Sequence, residues 1–432
     1  MTTLVIFPNT LFQKKYFPKN VTSVIVWEHP QYFTKYKYNK KRLVLHRASL
    51  KYYFNKIEEN YSARYIEFDK KPELPKNYVY FDPVDKIKMT NGIKLESPNF
   101  LLSDELIQEY RNKTKKFYFN GFYMWSKSKL DIIPNIKSQD LKNRKSVPKN
   151  TPIPPLSVLG EIDKKYIKNA ELYVEKNFPN NYGSVECLSF PVTRKSAKMW
   201  LNQFIAHKLK NFGDYQDYTL QDENYMFHSG LSSSINMGLL NPLEIIQELG
   251  KVKKKIPINS YEGLIRQYFW REYQRYCYIY LNDWYGENYF GNSGKLSKKW
   301  YNGSTGIIPI DDAIKDAFNT GYLHHIRRLM FVANYMNLSG INHKQGLRWF
   351  IEFALDSYEW VMYQNLDMGF FASGGKTSRK PYVTSSNYII KMSNYKKGDW
   401  SDTWDELYRK FIKKNKQKLW KHRYHFPALK ST

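Results

Sequence analysis

The apolar periodicity of this chain changes once, and that change restricts it to two kinds of layer. Over residues 1–100, short β-branched and aromatic runs recur at Leu4–Phe7, Val21–Trp27, Arg64–Phe68, Tyr78–Phe81 and Gly92–Leu95, with an amphipathic stretch from Lys41 to Asn60. Strand-length runs alternating with helical segments need crossover connections, which predicts a doubly wound parallel sheet. From Asp131 to Leu159 the pattern gives way to Lys, Asn and Pro, with five prolines between Pro134 and Pro155. Proline removes backbone donors and fixes φ, so this stretch is predicted to cross the surface as a connection. Apolar residues then return at spacings of three and four over Ser196–Phe212, Pro242–Lys251 and Gly263–Asn282, the helical period. The predicted fold class is an α/β domain over residues 1–130, a Pro-rich connection over 131–165 and an all-α domain over 166–432.

The first strand runs into Pro8-Asn9-Thr10 rather than a glycine-rich turn, which argues against a dinucleotide site of the usual kind. Lys and Arg total 68 against 40 Asp and Glu, a net charge of +28. Such a charge favours a polyanionic, nucleic-acid partner and salt-dependent association, although a composition rich in Lys, Asn, Tyr and Ile throughout also accounts for part of it. Aromatics at 17% could stack bases or simply fill the core. Cys187 and Cys277 are the only cysteines, which excludes a disulfide framework and any four-cysteine metal site. The opening MTTLVIFPNTLF is no signal peptide, and no apolar run approaches a membrane span. A soluble intracellular monomer is expected.

Three polar clusters interrupt the helical half. His228-Ser229-Gly230-Leu231-Ser232 places hydroxyls and free N–H groups at a helix start, which suits a pyrophosphate or merely caps the helix. Glu262, Arg266 and Arg271 share a helix with Leu264, Ile265 and Phe269, reading either as surface ion pairs or as a phosphate grip. His324-His325 falls in a segment with two apolar stripes, predicted to be the middle of a buried helix with Arg328 one turn away and Asp356 in the same layer. The tail FIKKNKQKLWKHRYHF is a basic helix candidate, a solvated face or an arm for a nucleic-acid backbone.

LVLHRASLKYY (43–53), NRK (143–145), HSGLSSSINMGLLNP (228–242), EGLIRQYFWREY (262–273), GYLHHIRRLM (321–330), SYEWV (357–361) and KPYVTSSNYIIKMSNY (380–395) together resemble the photolyase/cryptochrome family, and within it the prokaryotic (6-4) photolyases. The resemblance implies a bent FAD in the helical domain, its diphosphate near Tyr215, His228, Ser229, Leu231 and Ser232. Glu262, Arg266 and Arg271 lie nearby, and Arg328 pairs with Asp356 at the polar edge of the isoalloxazine. It implies His325, with His324 beside it, as proton donor to a (6-4) lesion in UV-damaged DNA, and Met368 and Tyr382 as lesion-pocket walls. Electron transfer is implied through Trp349, nearest the flavin, then Phe350 and Tyr301. Phenylalanine is hard to oxidise, so Tyr358, Trp360 or Trp300 are alternative stations. The chain departs from that branch at Pro309, Lys396 and Asp399, where cluster cysteines are usual, so no iron–sulfur cluster and no metal is expected. It departs again at Met362, beside flavin N5. A lumazine-type antenna at the sheet edge is an open question. The leading expectation is a light-dependent (6-4) photolyase. A cryptochrome-like photoreceptor without repair, a cyclobutane-dimer photolyase, and a nucleic-acid-binding protein that has lost the flavin are the alternatives.

Overall fold

The structure is a computed structural model that describes residues 2–281, 286–426 and 429. Five parallel strands, β1 (Thr2–Ile6), β2 (Val21–Trp27), β3 (Ser62–Ile66), β4 (Tyr78–Phe81) and β5 (Ile93–Leu95), lie in the order β3-β2-β1-β4-β5. The central strand β1 is buried from Thr3 to Ile6, so its near-continuous apolar run reflects cover on both faces. Helix Lys40–Ile57 crosses from β2 to β3 and packs on helix Glu161–Asn177. Asn39 caps it, its Oδ1 accepting from the Lys41 N–H at 2.9 Å, while its Nδ2 donates to the Phe318 carbonyl at 3.0 Å in the helical half. One side chain thus starts a helix and ties the two layers together.

Beyond the sheet the described residues are helical, as expected, with boundaries that packing adjusts. The helix predicted over Ser196–Phe212 breaks into Arg194–His207 and Leu209–Tyr215 at Lys208. The Lys208 ammonium is buried and donates to the Met226 carbonyl at 2.6 Å. The helix predicted over Gly263–Asn282 begins earlier than its periodicity suggested, at Ile258 directly after Pro257, and runs to Tyr280; proline suits a helix start because its missing N–H would have no partner there. Asn282, its expected end, lies outside the described residues. Gly213 lies so close to this helix that a Cβ there would overlap the backbone of Asn259 and Ser260. The basic tail is split into Asp399–Lys414, Lys416–Leu419 and a 3₁₀ segment Trp420–His425. No helix among the described residues is long and apolar enough to cross a membrane.

Two expectations are corrected. His324 and His325 do not sit in mid-helix: Gly321 takes a left-handed φ of 70°, ends helix Ile308–Thr320, and leaves His325 at the first turn of the next helical segment. That segment widens at once into a π-helix over Arg327–Ala333, the wide turn often found at functional sites. The Pro-rich connection does not merely cross the surface either. Ser138, Asp140 and Arg144 form part of a cavity wall in the helical half.

Candidate functional site

A cavity of about 830 Å³ opens into the helical half, bounded by helix Ile258–Tyr280, the Ser229–Ser232 turn, the π-helix and helix Glu359–Phe370. That volume is in the range of sites for cofactors and drug-sized ligands. Its depth is polar by construction. Arg328 contacts both oxygens of Asp356, Nη1 to Oδ1 at 3.0 Å and Nη2 to Oδ2 at 3.2 Å, and its Nε donates to the Leu323 carbonyl at 2.6 Å. Arg271 donates from Nε to Asn236 Oδ1 at 2.9 Å and from Nη1 to the Asn99 carbonyl at 2.7 Å, and Asn236 in turn donates to the Asp356 carbonyl. Phe100 and Trp360 face the Arg271 guanidinium, 4.4 and 4.9 Å from its carbon. Burial pulls its pKa down to about 10, against the pull of Glu272. Its Nη2 has no partner, and neither has Nδ1 of the buried His324. Buried polar atoms without partners are costly, and these in the wall fit a ligand that carries polar groups.

At the mouth stand three imidazoles. His228 and His324 stack with ring centroids 4.3 Å apart, and His325 lies 5.9 Å from His228. His228 faces two carbonyls, Gln216 at 3.0 Å and Tyr225 at 3.3 Å. Burial, then the charge of His325, pulls its pKa down to about 4. His324 contacts Thr219 Oγ1 at 3.1 Å, and burial pushes its pKa well below the usual histidine value. His325 differs, being exposed, with Nε2 3.2 Å from Asp217 Oδ1. Asp217 also accepts from Arg144 Nε at 3.2 Å. Burial would raise the Asp217 pKa, but the hydrogen bonds and charges of His325 and Arg144 outweigh it and leave it lowered. The three imidazoles come within 4.8 Å of one another. Both His228 nitrogens are already turned to carbonyls, however, which makes the trio a poor metal ligand set.

The structure therefore brings together His228, Ser229, Leu231, Ser232, Arg266, Arg271, His324, His325, Arg328, Asp356, Met362, Met368 and Tyr382 around one cavity. Others named from the sequence stand apart. Tyr215 packs on Phe227 outside the wall. Glu262 is fully buried behind Arg266, accepting from Tyr123 and from the Gln139 N–H and pairing with Arg266 at 3.3 Å. Phe350, rather than Trp349, faces the cavity; Trp349 lies behind it at 5.1 Å. Tyr358 meets His46 Nε2 at 3.2 Å at the junction with the α/β domain, and Trp360 lies under Arg271. Asp217, Asp140 and Arg144 were not read as site residues. The NRK run contained Arg144, but no periodicity could say that the connection borders the cavity.

At the carboxyl ends of β1 and β2, Phe7 packs against Trp27, His29 and Tyr80 with centroids 5.6–6.2 Å apart.

A parallel sheet joined to a helical layer that holds a large polar-floored cavity is an architecture that comparison with known proteins places beside the photolyases and cryptochromes. Residues 264–426 match the FAD binding domain of DNA photolyase, and residues 74–190 match the deoxyribodipyrimidine photo-lyase-related protein family. The (6-4) photolyase of Agrobacterium fabrum (strain C58 / ATCC 33970) is 38% identical over 261 residues, 57% of this chain and 52% of that protein. The deoxyribodipyrimidine photo-lyase of Buchnera aphidicola subsp. Acyrthosiphon pisum is 24% identical over 60% of this chain and 50% of that protein. In both cases the chain spans about half the length of the relative it matches, 52% and 50%. In fold it is similar to a bacterial class III photolyase from Agrobacterium tumefaciens, with a TM-score of 0.59 at 15% identity over 95% of this chain and 86% of that one. The Synechocystis sp. PCC6803 cryptochrome gives 0.61 at 15% identity over 96% and 89%. Segments in both halves of the chain thus match photolyase family models, and the fold is similar to that of the solved photolyase and cryptochrome.

Proposed function

We propose that this protein is a light-dependent DNA-repair lyase of the (6-4) photolyase type, holding FAD in the cavity and taking a base dimer turned out of UV-damaged DNA. The observation that carries the reading is the layering of one cavity: Arg271, Arg328 and Asp356 in its floor, and His324 and His325 with Asp217 at its mouth. The orphaned Arg271 Nη2 suits a phosphate or carbonyl oxygen of the cofactor, and the Ser229–Ser232 turn supplies further polar groups. Bound and reduced, FAD supplies a photoexcitable one-electron donor.

The chain's own residues do the rest. His325 is solvent-accessible, and its Nε2 lies 3.2 Å from Asp217 Oδ1, which fixes the ring at the cavity mouth. It is thus suited to hand a proton to the lesion. His324 and His228, kept neutral by burial, orient it without competing for that proton. Tyr382 and Met368 wall the pocket. The +28 charge draws the DNA backbone to its rim. With free Cys187 exposed and Cys277 buried, and with Pro309, Lys396 and Asp399 at the positions compared with cluster ligands, we propose no iron–sulfur cluster. A second reading, a flavin photoreceptor without repair, is favoured by Met362 and Phe350 in the wall, neither of which offers the polar or easily oxidised group usual in repair enzymes.

The test is repair of oligonucleotides carrying a single (6-4) photoproduct or a single cyclobutane dimer under blue light, with the bound chromophore extracted. Repair of the (6-4) product alone, lost in His325→Ala with flavin retained, is the expected outcome. Repair of the cyclobutane dimer alone would move the assignment to that lesion. Flavin binding with no repair of either would favour the receptor.

A further inference from the structure

Behind the cavity wall the structure joins Trp349 to a tyrosine that has its own base. Trp349 is fully buried, and its Nε1 donates to the Trp300 carbonyl at 2.5 Å. That carbonyl carbon is bonded to the Tyr301 nitrogen, so one hydrogen bond and the peptide link connect indole to tyrosine. The Phe318 ring bridges the same gap, 5.6 Å from Trp349 and 5.7 Å from Tyr301. Tyr301 then stacks on Tyr182 at 4.4 Å with planes 18° apart, and the Lys37 ammonium lies 4.5 Å from the Tyr182 centroid at the molecular surface.

The phenol of Tyr301 donates to Glu352 Oε2 at 3.0 Å. Glu352 has no exposed side-chain surface, and Arg348, half exposed, donates from Nε to its other oxygen at 2.8 Å. The groups that face this carboxylate are Tyr301, Tyr182, Arg348 and the Lys37 backbone N–H. Burial raises the Glu352 pKa against Arg348 and the hydrogen bonds, which improves it as a base. Burial, then the Glu352 charge, raises the Tyr301 pKa, so the phenol does not ionise thermally. An oxidised phenol is a strong acid, and a tyrosine can be oxidised readily only where something accepts its proton.

We propose that Glu352 is the proton acceptor of Tyr301 when that tyrosine is oxidised by way of Trp349. When Trp349 loses an electron toward the cavity, one electron passes from Tyr301 to Trp349. The phenolic O–H bond breaks and its proton goes to Glu352 Oε2. The products are a neutral tyrosine radical and a neutral carboxylic acid, with Trp349 restored. An external thiolate returns one electron at the Tyr182 face and leaves as a thiyl radical, and the proton passes back from Glu352 to the Tyr301 oxygen. Glu352 is thus a positioning residue that acts through Tyr301. The inference deepens the proposed function, since a photoexcited oxidised flavin is the oxidant it assumes.

The test dispenses with flavin. A ruthenium polypyridyl photo-oxidant is attached to Lys37→Cys in the full chain, with Cys187→Ser removing the other exposed thiol, and the phenoxyl band is followed after a flash. A fast phenoxyl phase is expected that vanishes in Tyr301→Phe, slows in deuterated water, and slows by roughly a hundredfold in Glu352→Gln, the scale of a lost general base. An unchanged fast phase in Glu352→Gln, or one that survives in Tyr301→Phe, overturns the proposal. Should Glu352→Gln fail to fold by circular dichroism, the unsubstituted protein decides. A rate flat across neutral pH supports the carboxylate as base, whereas a rate climbing steadily with pH assigns the proton to solvent and overturns it. Failure of flavin binding or of repair would leave these outcomes untouched.

Discussion

Arg328 holds both oxygens of Asp356, at 3.0 and 3.2 Å, from opposite sides of a gap of 28 residues in sequence. Both groups are largely buried, and the Asp356 carbonyl also accepts from Asn236. Neutralising one partner leaves the other charge stranded in the cavity floor. Asp356→Asn should cost about 3 kcal/mol of stability, read from urea unfolding, and should release flavin from purified protein. An unchanged midpoint together with full flavin occupancy would show that the pair is dispensable.

The buried histidines make a prediction about acid. His228 has a folded pKa of about 4, below its ordinary 6.5, chiefly through burial, and His324 is depressed for the same cause. The unfolded chain therefore binds these protons more readily than the folded one. Their contribution is fully present above the unfolded value and declines as pH falls from about 6.5 to about 4, by roughly 3 kcal/mol for His228. His228→Phe should flatten that part of the stability–pH curve in denaturant titrations. A curve of the original slope would place the acid sensitivity elsewhere.

Glu262 tests whether a carboxylate outside the cavity shapes it. It accepts from Tyr123 at 2.7 Å and from the Gln139 N–H at 3.0 Å while pairing with Arg266 at 3.3 Å. Arg266 reaches on to Asp140 at 2.9 Å, so the Glu262 carboxylate helps pin the connection around 138–145, beside the Arg144–Asp217 and Lys145–Asp214 pairs. Glu262→Ala should destabilise the protein by about 3–5 kcal/mol, the scale for an uncompensated buried charge. It should also speed proteolysis between Ser138 and Lys145, measured by mass spectrometry of the nicked chain.

Gly213 provides a purely steric test. Its missing Cβ lets helix Leu209–Tyr215 lie against the start of helix Ile258–Tyr280, where its N–H donates to Ser260 Oγ at 2.9 Å. Gly213→Ala should lower stability by about 1–3 kcal/mol through overpacking against backbone that cannot yield. Ordinary helix propensity alone predicts a gain of up to about 1 kcal/mol. The sign of the change in thermal midpoint separates the two.

The strands and the crossover helix were legible because β1 and β2 write burial directly as unbroken apolar runs, a local pattern that every fold containing them must respect. The polar clusters at 228–232, 262–271 and 324–328 were likewise legible as groups that apolar helices would not carry without a partner. Their grouping around one cavity was not. Nothing in the chain order announces that Asp217 meets His325 across 108 residues, that a proline-marked connection brings Arg144 to Asp217 at the cavity, or that Glu352 faces Tyr301. Helical periodicity also misplaced the histidine pair, because the left-handed Gly321 and the π-turn after it are settled by packing rather than by spacing. Sequence patterning reports which face of an element must avoid water. Which two faces then meet, and at what distance, depends on crossing geometry and side-chain volume summed over the whole core, and the chemistry of this site resides in those distances.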